Sequence, residues 1–217
     1  MRLLAHPFSS YCQKVLTALY ENDTPFEYQV LDFDDPAGQR EFAALWPLKR
    51  MPVLVDDGRT IFESTVIIEH LDLAHPGRVR FLPDDRREAL EVRMMDRFFD
   101  NYVMAPMMRI VFDFIRPQAQ RDPVGVAEAH ALFETAYDWL EKTLAGREWA
   151  CGARFGLADC AAAPSLFYAD WVHEIGASRP ELRAYRGRLL ARPSFARAVE
   201  EGRPFRPNFP PGAPDRD

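Results

Sequence analysis

Residues 51–64 have the sequence MPVLVDDGRTIFES, and this stretch decides the first half of the fold. Two runs of strand-forming residues, 52–55 and 60–62, flank Asp57-Gly58, a dipeptide typical of tight turns. The stretch therefore predicts a β-hairpin. Pro52 stands at the start of the first strand, where its missing N–H removes no hydrogen bond from the interior of a sheet.

The sequence before the hairpin alternates between strand and helix patterns. Alternating apolar and polar residues predict strands at 2–5 and 26–33, and apolar residues at helical spacing predict a helix from about Gln13 to Glu21. A short helix starts at Pro36, and another runs from Ser64 to about Leu73 after the hairpin. The predicted order, β-α-β-α-β-β-α, describes an α/β domain over residues 1–75.

From residue 85 to about residue 203, every long segment has helical periodicity. Residues 76–84 lack it and are punctuated by proline and glycine, which predicts a linker before an all-helical domain over 85–203. Within that domain, Pro106 is expected to kink or divide a helix over 87–116, and Ser178-Arg-Pro-Glu181 predicts a capped helix start. Further helices are predicted over 123–144 and 157–172 and from Pro193. The proline-rich tail, 204–217, is predicted to be non-helical, either wrapped on the surface or disordered.

Composition excludes several classes of protein. The 217 residues include 47% hydrophobic and 28% charged residues, a balance typical of folded domains, and the net charge of −6 argues against general nucleic-acid binding. No apolar run is long enough for a membrane span or a secretory signal. Three cysteines, an odd and sparse set, are typical of a reducing cytoplasm. The five histidines are scattered, so we expect no metal site unless folding gathers distant ligands.

An α/β domain followed by a helical domain, with this hairpin and with Glu63-Ser64 at family spacing after it, resembles the cytosolic glutathione transferases over nearly the whole chain. The resemblance implies a thioredoxin-like N-terminal domain, an all-α C-terminal domain, glutathione as co-substrate and a cytoplasmic homodimer. It also implies that Pro52 follows a cis peptide bond. Met51 would then pair its backbone with the cysteinyl unit of glutathione, as an added strand does.

The ends of glutathione would be held by charged groups. A helix start presents free N–H groups that suit a carboxylate, so Ser64 would bind the γ-glutamyl carboxylate while Glu63 pairs with the ammonium group. Ser64 is also expected to cap the helix that it begins. Arg50, with Lys49 as a weaker candidate, would meet the glycyl carboxylate.

The resemblance places Ser9 at the catalytic position, at the start of the first long helix. A hydroxyl that donates to the glutathione sulfur would stabilise the thiolate, which is the nucleophile. Ser10 is the alternative donor. Cys12 stands where thioredoxin-like proteins keep a second cysteine, but without a partner it is expected to be a small buried core residue.

The subclass and the electrophile are left open by the sequence. The Ser9-Ser10 pair is similar to bacterial serine-type zeta-like members, whereas Lys49-Arg50 is closer to theta-like ones. The reaction implied is conjugation of glutathione to a small apolar electrophile in detoxification; alternatives are a glutathione-dependent isomerase or reductase, and a non-catalytic binding relative. The aromatic and methionine-rich run from Met94 to Phe114 is expected to be mostly core, with some side chains lining the electrophile pocket.

Overall fold

The computed structural model describes residues 1–217 and begins with an α/β unit. Its elements are β1 (Arg2–Ala5), α1 (Ser10–Glu21), β2 (Glu27–Val30), α2 (Pro36–Leu45), β3 (Val53–Asp56), β4 (Arg59–Phe62) and α3 (Ser64–Ala74). They form one sheet in the order β2-β1-β3-β4. β1 runs parallel to β2 and antiparallel to β3, and β3 and β4 are the predicted hairpin. This is the thioredoxin-like arrangement that the sequence predicted.

Adjacent residues of β1 pack against opposite faces of the sheet. Leu3 lies opposite Leu54 and joins the large core beneath α1 and α3. Leu4 lies opposite Val53 and belongs to a small second core on the other face, where α2 contributes Phe42 as its single buried side chain. The strand period of two therefore fixes which helices cover which face.

Two boundaries in this unit differ from the predictions. The second strand is shorter than residues 26–33, because only Glu27–Val30 pair with β1. α1 starts at Ser10 instead of Gln13, since its first turn is made of residues that give no apolar period.

The second unit is entirely helical. It contains α4 (Arg86–Phe98), a π-helical turn (Phe99–Met104), α5 (Ala105–Ile115), a short 3-10 turn (Gln118–Gln120), α6 (Pro123–Thr143), α7 (Leu157–Val172), α8 (Pro180–Ala191), α9 (Pro193–Gly202) and a 3-10 helix (Arg203–Asn208). The predicted break near Pro106 takes the form of the π turn that precedes it. Proline has no N–H for the carbonyl four residues earlier, and the wider turn accommodates the lost bond.

Three predictions for the helical unit are corrected. Arg179, not Ser178, is the N-cap of α8, and the N–H groups of Glu181 and Leu182 donate to the Glu141 carboxylate of α6. The tail is not wholly non-helical, because it starts with the 3-10 helix and then buries Phe209 in the core. Met94 and Tyr102 are 57% and 48% exposed and therefore do not belong to the core.

The two units share one hydrophobic core and are therefore packed directly against each other, with the cleft along their junction. Lys14 of α1 is fully buried, and its Nζ lies 2.6 Å from Asp96 and 2.8 Å from Asp100 of the helical unit. The predicted linker contributes Phe81, which is only 2% exposed. No helix combines the length and the apolar character needed to cross a bilayer.

Candidate active site

A large cleft of about 1180 Å³ lies between the α/β unit and the helical unit. One wall comes from the starts of α1 and α3 and the segment before β3, and the other comes from α5, α6 and the C-terminal tail. All the residues predicted to bind glutathione or to activate it line this cleft: Ser9, Arg50, Met51, Pro52, Glu63 and Ser64. The fold therefore gathers residues from three separate places in the sequence.

The start of α3 presents unpaired polar groups to the cleft. Glu63, not Ser64, is the N-cap, which corrects the capping role predicted for Ser64. Glu63 has a φ of 70°, a conformation that is costly for a residue with a side chain and is concentrated at functional sites. Its carboxylate is exposed and caps no N–H. Ser64 is 6% exposed, and the backbone N–H groups of the first turn have no intrahelical acceptor.

The segment before β3 has an unpaired backbone edge. The Met51–Pro52 peptide is cis, as predicted. Neither the N–H nor the carbonyl of Met51 takes part in a backbone hydrogen bond, although Val53 two residues later is paired on both sides. The edge is thus available to an extended ligand.

Basic and aromatic residues surround that edge. Lys49 and Arg50 are both exposed, and Lys49 has a positive φ of 51°. Trp46 stacks on Phe62 with ring centroids 3.9 Å apart, and its buried Nε1–H has no acceptor. An anionic ligand group at this end of the cleft would meet two cations.

The start of α1 brings three hydroxyl groups to the cleft, on Ser9, Ser10 and Tyr11. Ser9 is the N-cap, but its side chain accepts no capping hydrogen bond. Burial raises the pKa of the Cys12 thiol to about 12, in spite of hydrogen bonds from the Ser9 side chain and the His6 backbone. Cys12 is therefore a neutral core thiol at physiological pH, as expected.

Tyr11 lies near the buried ion pair of Asp100 and Lys14. Burial, with a smaller contribution from the Asp100 carboxylate, raises the pKa of Tyr11 to about 12, so the phenol keeps its proton at neutral pH. Asp100 is 3% exposed and lines the cleft, and its Oδ2 lies 2.8 Å from Lys14 Nζ. Burial raises the pKa of Asp100, and the Lys14 charge opposes that shift.

The opposite wall of the cleft is mostly apolar. Met107, Met108 and Phe112 of the predicted aromatic and methionine-rich run line it, whereas Phe99 and Met104 are buried in the core. Further apolar lining comes from Val111, Leu132, Tyr168 and Phe209. Arg109 and Glu128 form an ion pair on this wall, with 3.1 Å between Arg109 Nη1 and Glu128 Oε2.

Several lining residues escaped the sequence analysis. Trp46 precedes Pro47 at the end of α2 and would have been found by asking which aromatic residues lie next to the basic pair. Tyr11 lies beside the two serines but was not predicted to face the cleft. Phe209 gave no signal, because it stands among prolines in a segment without periodicity.

The fold and the cleft define a class of protein: a thioredoxin-like domain joined to a helical domain, with a polar binding wall facing an apolar one. Comparison with known sequences gives the family. Residues 3–79 match the family described as "Glutathione S-transferase, N-terminal domain", and residues 123–188 match "Glutathione S-transferase, C-terminal domain". The chain belongs to the glutathione S-transferase family.

Individual relatives agree with this assignment. A glutathione S-transferase-like protein of a Fusarium species is 32% identical over 172 residues, which are 79% of this chain and 75% of the relative. A glutathione S-transferase of Methylobacterium radiotolerans, solved in complex with glutathione sulfonate, is 30% identical with a TM-score of 0.78 and covers 91% of this chain and 93% of its own. An epsilon-class enzyme of the housefly Musca domestica, at 22% identity, shares the fold with a TM-score of 0.82 over 94% of each chain.

Proposed function

We propose that the protein is a glutathione transferase that binds glutathione along the α/β wall of the cleft and transfers its sulfur to a small apolar electrophile. The observation that carries the proposal is the set of unused polar groups on that wall. The first-turn N–H groups of α1 and α3 and the backbone of Met51 make no backbone hydrogen bond, and residues at all three places line the same cleft. Such groups cost free energy when buried, so their retention favours a bound polar ligand.

The γ-glutamyl end of glutathione would bind at the start of α3. Ser64 would donate from its N–H and hydroxyl to the carboxylate, and the positive end of the helix dipole favours that charge. Glu63 would accept from the ammonium group. The positive φ of Glu63 directs the chain so that both residues meet the ligand.

The middle and the other end of glutathione would extend along the segment before β3. Met51 would exchange backbone hydrogen bonds with the cysteinyl unit, and Pro52 would hold the backbone of Met51 at the cleft. Arg50 would pair with the glycyl carboxylate, with Lys49 nearby. The Trp46 indole N–H adds a donor at this end that the sequence analysis did not propose.

Ser9 would activate the sulfur. Its hydroxyl would donate to the thiolate and, with the free N–H groups at the start of α1, would lower the pKa of bound glutathione. The thiolate sulfur then forms a bond to the electrophilic carbon, and the leaving group departs with its electron pair. Ser10 and Tyr11 are the rival donors.

The lone Cys12 disfavours the reductase alternative, because a buried thiol of raised pKa is a poor nucleophile. The isomerase alternative and a non-catalytic binding relative stay open to experiment. We place the chain among bacterial serine-type members with zeta-like and theta-like features, and we infer a role in detoxification. The domain limits that we propose are 1–75, with a linker over 76–84, and 85–203, followed by the tail 204–217.

We also propose a cytoplasmic homodimer. Exposed apolar side chains follow one face of α3 and α4, at the spacings of four and seven residues that share a helix face. They are Val66, Leu73, Leu90 and Met94, each more than half exposed. A second copy of the chain would cover them, because symmetric dimers use the same surface on both subunits. Sedimentation at micromolar concentration should give twice the chain mass of 25.0 kDa; a single species near the chain mass would reject the dimer.

The function is tested by calorimetric titration with glutathione, followed by assays across halides, epoxides, enones and disulfides. We expect saturable glutathione binding and turnover of at least one carbon electrophile. Binding without turnover of any of them would favour a binding relative, and no binding would overturn the proposal. Arg50→Ala should weaken glutathione binding. Arg40→Ala is its matched control and should not weaken it, because Arg40 lies in α2 outside the cleft.

A further inference from the structure

Three potential metal ligands meet at the C-terminal end of α3, at the opposite end of this helix from Ser64. His70 belongs to the last turns of α3, His75 is its C-cap, and Asp56 is the last residue of β3. Both imidazole Nε2 atoms lie beside the same carboxylate oxygen, at 2.8 Å for His70 and 2.6 Å for His75. The three ligand atoms all lie within 4.8 Å of one another.

We propose that these three residues bind a divalent transition-metal ion of the zinc type. Two imidazole nitrogens and one carboxylate oxygen form a donor set typical of zinc, whereas magnesium and calcium require mainly oxygen ligands. The sequence left open that folding could gather distant ligands, and His70 and His75 meet in this way. Folding brings them to Asp56, which is 14 residues before His70 and 19 before His75.

The exposure of the site suits a cation that arrives from solvent. The side chain of Asp56 is 10% exposed, and those of His70 and His75 are 22% and 37% exposed. The carboxylate is therefore nearly buried, whereas both imidazoles can be reached from solvent.

The rearrangement needed for binding is small. Ligands around a tetrahedral zinc ion with bonds of about 2.1 Å lie about 3.4 Å apart. Each imidazole therefore moves somewhat away from the carboxylate oxygen that it now contacts. Each Nε2 must also be unprotonated to bind, which leaves the proton on Nδ1. Water would occupy the remaining coordination positions.

The test is titration of the metal-free full-length protein with Co²⁺, followed by visible absorption, and displacement of the Co²⁺ by Zn²⁺. We expect one equivalent of Co²⁺ to bind and Zn²⁺ to replace it. His70→Gln and His75→Gln should each weaken zinc binding by at least about tenfold. Zinc should also raise the melting temperature of the unmodified protein more than that of either variant.

Two control variants exclude other ligands. His130→Gln removes a member of the other histidine pair, in which the Nδ1 atoms of His130 and His173 are 2.9 Å apart. Cys151→Ser removes the one cysteine that is not fully buried. Both controls should bind zinc as the unmodified protein does. Absence of zinc binding, or binding that neither His70→Gln nor His75→Gln weakens, would overturn the proposal and leave these contacts as hydrogen bonds that join α3 to β3.

Discussion

The starts of α3 and α7 each have an acidic residue, but the two acids are used in opposite ways. At α7, the buried Asp159 accepts hydrogen bonds from the N–H groups of Gly156 and Ala150 and from the Tyr185 hydroxyl. At α3, the exposed Glu63 carboxylate accepts no hydrogen bond from the helix that it begins. Where the fold satisfies its own donors, a helix start stabilises the protein, and where it leaves them free beside a cleft, the helix start is available for a ligand.

Gly156 shows how completely the α7 start is satisfied within the chain. Glycine has no side chain that could accept a capping hydrogen bond. The carbonyl of Phe81, from the segment between the two units, accepts from the N–H of Leu157, the first residue of α7. A Cβ on Gly156 would lie 3.0 Å from the same carbonyl oxygen, so the close approach favours glycine.

The other helix starts follow the same division. Aspartate side chains cap α2, α4 and α6, and Glu141 serves α8. α1 and α3 have no side-chain cap, and both line the cleft; α9 also has none but lies outside the cleft. Apart from α9, these helix starts follow the contrast between α3 and α7, and that contrast can be tested by substitution.

The largest effect is expected at α7. Asp159→Ala would leave three buried donors without an acceptor and should lower the free energy of unfolding by about 3–5 kcal/mol. Urea unfolding measures the loss. Asp85→Ala, at the exposed cap of α4, is the matched control and should cost about 1 kcal/mol. Equal losses in the two variants would contradict the structural role assigned to Asp159.

The next effect is expected at the start of α1. Ser9→Ala should raise the pKa of bound glutathione and reduce turnover near neutral pH by about tenfold to a thousandfold, because one donor to the thiolate is lost. Glutathione affinity should change little, since the charged ends bind elsewhere. Thiolate absorbance of bound glutathione, followed against pH, is the measurement.

Three variants serve as controls for Ser9. Cys12→Ala should leave the titration of glutathione nearly unchanged, because Cys12 is a neutral core thiol. Ser9→Cys should favour mixed disulfides with glutathione instead of restoring conjugation. If Ser10→Ala or Tyr11→Phe shifts the titration and Ser9→Ala does not, the catalytic role belongs to the other hydroxyl.

A pH effect is also expected at α7. Burial raises the pKa of Asp159 to about 6, in spite of its three hydrogen bonds. Between the unfolded pKa of about 3.9 and the folded pKa, the folded state binds more protons than the unfolded state. Protonated Asp159 therefore favours folding at pH values below this range, and the free energy of unfolding falls as the pH rises through it. The stability difference between the unmodified protein and Asp159→Asn should therefore fall between about pH 4 and pH 6 and stay level above. A difference that rises over this window would contradict the assignment.

A smaller effect is expected at the start of α3. Ser64→Ala should weaken glutathione binding by about 1.5–3 kcal/mol, the loss of one hydrogen bond to a charged group. Because Ser64 is not the cap of α3, stability should change little, in contrast to Asp159→Ala. Calorimetry and urea unfolding of the same samples separate the two quantities. A folded variant with unchanged glutathione affinity would show that the start of α3 is not the γ-glutamyl site.

The resemblance to the glutathione transferases could point to the residues of the polar wall because its motifs are short and local. Met51-Pro52, Glu63-Ser64 and Ser9 each occupy an element boundary, where residue type and backbone conformation are strongly linked. The apolar wall could not be predicted in detail. On helical periodicity alone, Met107 and Met108 cannot be distinguished from Met104, which is in the core, or from Met94, which is on the surface.

By itself, the sequence determined the order of the elements and the hairpin, since each depends on neighbours within a few positions. The cis proline and the residues that would face a ligand were expected from the resemblance to the glutathione transferases. Only the tertiary structure decided that Phe209 of the tail packs against the core, that Phe81 completes the start of α7, and that Asp56 meets His70 and His75. These contacts join residues far apart in the chain. These contacts depend on the packing of the whole core, so local sequence patterns cannot predict them.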